Sequence, residues 1–68
     1  MHDPRMVPVP RWLADAVQAI ALVWGDKVTA ERLGVPRQSV ARLAAMLPVR
    51  RETLDAAIAS CPDEYRPR

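Results

Sequence analysis

Five arginines crowd the middle of this chain, and their side chains are the residues best equipped for chemistry. Arg32, Arg37, Arg42, Arg50 and Arg51 fall in a stretch that holds no Asp or Glu, and all eight acidic residues lie outside it. Lys27 is the only lysine among ten cations. A guanidinium is a planar fork that pairs bidentately with phosphate oxygens or with the O6 and N7 edge of guanine. GC-rich coding also enriches arginine, so the placement of the five carries more weight than their number. The net charge of +2 is too small by itself to announce a nucleic-acid partner. Catalytic chemistry fails on inventory. The single His2 and the single Cys61 cannot build a metal cluster, a triad or an internal disulfide. Asp63 and Glu64 are neighbours in a tail rather than a pair facing across a cleft, and two glycines do not make a phosphate-cradling loop. The sequence therefore predicts no enzyme, no catalytic residue, no metal, no cofactor and no small-molecule substrate. Cys61 reads as a packing residue at a helix end, with an intermolecular disulfide as the alternative.

Positioning these arginines falls to one small domain, because 68 residues bury only about 60% of their unfolded surface and leave no room for a second core. Apolar residues at 50% and charged residues at 26% are the balance of a folding chain rather than a disordered one. The apolar half is Ala, Val and Leu with no Phe, which suits short helices in close contact and not a deep cavity. No apolar run approaches the roughly 20 residues that span a bilayer, and no greasy leader follows Met1. A soluble, cytoplasmic, intact small gene product is the expectation.

Proline and glycine punctuate the rest. Pro4, Pro8 and Pro10 predict an extended arm over residues 1–10, read as a frayed terminus, a subunit contact or a DNA-groove contact. A first helix is expected over 11–24, with Trp12, Leu13, Ala16, Val17, Ile20, Val23 and Trp24 on an inward stripe. Arg11, Asp15, Gln18 and Leu22 fall on its outer side. Gly25 stops it, a second helix takes 26–33, and Gly34 supplies a left-handed end. The third helix is expected over 36–46 with Val40, Leu43, Ala44 and Leu47 inward, and the fourth over 50–60 with Thr53, Leu54, Ala57, Ile58 and Cys61 inward. Pro48 and Pro62 end them, leaving a loose tail over 62–68. The predicted fold class is all-α, a compact four-helix domain over residues 11–61.

The second and third helices, joined by a turn centred on Gly34, have helix-turn-helix spacing. Ala30 is small where a second helix must cross closely, Leu33 and Val35 flank the turn, and Val40 and Leu43 anchor the second helix inward. Ala-Glu-Arg-Leu-Gly-Val at 30–35 and Arg-Gln-Ser-Val at 37–40 resemble the Cro and λ-repressor-like (XRE) helix-turn-helix family, whose small stand-alone members are carried by phages, plasmids and other mobile elements. The resemblance implies that the second helix of the pair enters the major groove of double-stranded DNA. Carried onto this chain, the base readers are Arg37, Gln38, Ser39 and Arg42. It further implies a transcriptional regulator, a repressor or autoregulator bound to an inverted-repeat operator as a homodimer. Leu22, Met6, Val7 and the end of the fourth helix are candidates for the dimer contact.

Arg50 and Arg51 add an independent argument. Both sit at the expected start of the fourth helix, where the helix dipole disfavours cations by about 0.3–1 kcal/mol. A DNA phosphate held there turns that penalty into binding energy, while simple solvation of two arginines is the competing reading. Lys27 joins them as a phosphate contact. The alternative function is a helical protein-interaction module whose arginine-rich face meets an acidic partner.

Overall fold

The computed structural model describes residues 6–67 of the chain. It is a mostly helical domain of three helices and a two-stranded sheet, so the expected count of four helices is corrected. The first two expected helices form one span, α1, Arg11–Leu33. Gly25 inside it has φ 79° and ψ 163°, while the residues on either side are helical. A single glycine turns the chain and the helix resumes at once, so Gly25 breaks α1 without ending it. Pro10 precedes α1 with extended backbone, and its carbonyl accepts the N–H groups of Leu13 and Ala14 at 3.1 Å each.

Gly34, at φ 69° and ψ 34°, closes α1 as the sequence predicts. Val35 N–H donates to the Ala30 carbonyl at 3.0 Å and Gly34 N–H to that of Glu31 at 3.3 Å, the paired bonds of a left-handed helix end. Helix α2 covers Arg37–Ala44 rather than 36–46. Met46 ends it, at φ 59°. The same paired bonds recur there, Leu47 N–H to the Arg42 carbonyl at 2.9 Å and Met46 N–H to Leu43 at 3.2 Å. This turn swings Leu47 outward, so its expected place on the inner face is corrected.

Strand β1, Met6–Val7, pairs antiparallel with β2, Val49–Arg50, in the register Met6 to Arg50 and Val7 to Val49. The described part of the arm is therefore tied to its own domain, with Val9 buried behind it. Residues 1–5 of that arm lie outside the described residues. Helix α3 runs Arg51–Ser60, beginning one residue later than predicted because Arg50 belongs to the strand. A 3-10 turn over Asp63–Tyr65 follows where a loose tail was expected. Arg66 donates to the carbonyls of Ile58, Ala59 (3.5 Å) and Cys61 (3.3 Å), with an ion pair to Asp63 at 3.5 Å. A cation against the orphan carbonyls of a helix end satisfies them and favours the dipole.

The core joins Leu13, Ala16 and Val17 of α1 to Ala30 and Leu33 beyond the break, Val40 and Leu43 of α2, and Val49, Ala57 and Cys61. Ile20 is also fully buried. Val23, expected on the same stripe, is 75% exposed: it lies on the flank of the stripe at the Gly25 corner, away from the buried cluster. Trp24 is half-buried, with the Arg32 guanidinium 4.4 Å over its ring. Leu22 is 84% exposed, as its outward place predicts. Burial raises the Cys61 thiol above its ordinary range, with Arg66 opposing and Asp63 adding to the effect.

Candidate functional site

Helix α2 is seated by the residues that its spacing makes inward, Val40 and Leu43, both buried against α1. That seating fixes what its first turn presents. Arg37 and Gln38, the first two helical residues, are exposed. Ser39 is not: it is buried, so its expected outward projection is corrected. It lies on the side of α2 that turns toward β2 and the start of α3, and its N–H donates to the Pro36 carbonyl at 2.9 Å.

A groove of about 890 Å³ runs between this first turn and the start of α3. Gly34, Pro36, Gln38, Ser39 and Arg42 line one side, and Met6, Val49, Arg50, Glu52 and Thr53 the other. Pro36 and Arg50 stand at the N-caps of α2 and α3, and neither helix has a side-chain cap. The free N–H groups of both helix starts are left to partners outside the helices. Arg50 and Arg51 are exposed, one in β2 and one at the first position of α3. Among the described residues the only ion pair is that of Arg66 with Asp63, so Arg37, Arg42, Arg50 and Arg51 have no carboxylate partner.

Arg42 is exposed, yet its Nε and Nη2 donate to the Pro48 carbonyl at 3.0 and 2.9 Å. The guanidinium fork thus holds the loop between α2 and β2. Lys27 stands apart, exposed in the first turn after Gly25. It is separated from Gly34 by most of the 26–33 segment, about 10 Å of helix rise. The structure brings Gln38, Ser39, Arg42 and Arg50 to one groove, with Arg37 and Arg51 as their chain neighbours, and leaves Lys27 elsewhere. Met6, Glu52 and Thr53 are groove residues that the sequence did not mark as DNA contacts. Glu52 was the most visible, as the acid that favours the first turn of a helix and closes the arginine stretch.

Among the described residues no group of three or more His, Cys, Asp or Glu is placed to hold a metal ion. Among the same residues no helix is long and apolar enough to cross a membrane. No family model, curated protein or solved structure matches the chain.

Proposed function

We propose that the protein is a sequence-specific binder of double-stranded DNA that acts as a transcriptional regulator, a homodimeric repressor or autoregulator on an inverted-repeat operator. One observation carries the reading: Arg37 and Gln38 stand exposed on the first turn of a helix whose back is packed in the core, beside arginines that have no carboxylate partner among the described residues. Arg and Gln are the side chains that pair bidentately with guanine and adenine edges, each good pair discriminating by about 1–3 kcal/mol. Arg50 and Arg51 flank them at an uncapped helix start, the arrangement that suits phosphate. Ser39 is no longer among the proposed readers, and Arg42 acts chiefly as a strut for the neighbouring loop. A symmetric dimer sets two α2 helices about 34 Å apart on one face of the duplex.

Selection of bound sequences from a random duplex pool tests this. The expected product is an inverted repeat whose half-sites are centred about one helical turn apart. Retention of no duplex at low salt, with the arginine face binding an acidic protein instead, overturns the reading in favour of an interaction module.

A further inference from the structure

The loop that follows α2 carries three features that the proposed function does not use. Ala45, Met46, Leu47 and Pro48 are four consecutive apolar residues, all exposed, with Met46 and Leu47 at 47% and 48%. Met46 holds a left-handed backbone at φ 59°, a conformation that side chains other than glycine, Asn and Asp rarely adopt. The turn is also fastened, by the Leu47 and Met46 N–H bonds back into α2 and by the Arg42 fork on Pro48. A rigid apolar knuckle thus stands at the C-terminal end of the helix proposed to read bases.

Its surroundings decide what covers it. A second copy is disfavoured on size, because a stable interface takes about 20–30 residues a side and the knuckle offers four. It is disfavoured on charge as well, since a symmetric contact brings Arg42, Arg50 and Arg51 of each copy together with one acidic groove residue, Glu52, to offset them. Duplex DNA answers both objections. Its phosphates neutralise the arginines, and the 5-methyl group of thymine is an apolar target small enough for one or two side chains. Resting on the proposed DNA reading, we infer that Met46 and Leu47 contact a thymine methyl group of the same operator, at the other end of α2 from the bases read by Arg37 and Gln38.

Uracil replacement tests the contact, because uracil differs from thymine only by that methyl. Using the full chain and the operator from the pool selection, each thymine is replaced in turn and affinity is measured for the wild type and for the double variant Met46→Gly, Leu47→Ser. Met46→Gly keeps the left-handed turn while deleting the side chain. One replacement beside a half-site is expected to weaken the wild type about fourfold, the equivalent of one buried methyl, and to leave the double variant unchanged. Equal losses in both proteins at every thymine overturn the inference. So does loss of dimer by the free double variant in sedimentation with an unchanged uracil pattern, which assigns the knuckle to a second copy. Enrichment of no duplex by the wild type overturns the DNA reading first and the contact with it.

Discussion

Replacing Gly25 with alanine gives opposite results for a broken and for an unbroken α1. In a regular helix the change stabilises, by about 1 kcal/mol from helix propensity alone. At φ 79° and ψ 163°, Gly25 instead occupies a region that is essentially restricted to glycine. A Cβ at this position meets nothing within 4 Å, so packing contributes no penalty and the backbone alone sets the sign. Strain of this kind costs about 1–3 kcal/mol. Against the roughly 3–10 kcal/mol expected for 68 residues, that is a large share. At about 4–8 °C per kcal/mol for a domain this small, Gly25→Ala should lower Tm by at least about 4 °C. Gly34 supplies the control, because its φ 69° and ψ 34° lie in the left-handed region that Asn tolerates, and a Cβ there also meets nothing. Gly34→Asn should therefore cost less than Gly25→Asn. Thermal unfolding followed by circular dichroism reads all three variants. A rise in Tm for Gly25→Ala refutes the break and restores a straight α1.

Three further outcomes follow from particular side chains. The Thr29 hydroxyl is fully buried with no hydrogen-bond partner among the described residues, so Thr29→Val should raise stability by about 1 kcal/mol in urea titration. Arg66→Ala strips the end of α3 of its guanidinium and should lower stability by about 1 kcal/mol, a modest loss because the side chain is partly in water. The Cys61 thiol, raised by burial, favours the folded state in its neutral form. Its contribution is complete below the ordinary thiol pKa and falls as pH rises through the folded value, so unfolding midpoints at pH 8 to 10.5 should decline more steeply for the wild type than for Cys61→Ala.

The chain's punctuation was the most legible part of its fold. Gly34 and Pro62 mark helix limits because a positive φ or a missing N–H acts locally, whatever surrounds it, whereas Pro48 lies beyond the Met46 turn that ends α2. Val40 and Leu43 announce the inner face of α2 through spacing, and with it the exposure of Arg37 and Gln38. The pairing of Met6–Val7 with Val49–Arg50 was not legible. Two-residue strands carry no period, and their partner lies more than forty positions away in the sequence. Ser39 was misjudged because a helix that packs on two sides buries flank positions that a single inward stripe leaves out. Arg42 and Arg66 carry charge that reads as free, yet both point at carbonyls whose positions only the folded loop and helix end supply. Leu47 failed for a related reason, since no residue type signals that a methionine will take the left-handed turn at 46.

Affinity for the selected operator and for a scrambled duplex, measured at several salt concentrations for four variants, bears most directly on the claim that the start of α2 reads bases. Arg37→Ala and Gln38→Ala should each cost about 1–3 kcal/mol on the operator, relax preference at one base position and change scrambled-duplex binding less. Arg50→Ala and Arg51→Ala should weaken both duplexes about equally and lower the salt slope by roughly one unit each, as lost phosphate contacts do. Equal loss on operator and scrambled duplex for Arg37→Ala and Gln38→Ala contradicts the account, because helix α2 is then not the reader.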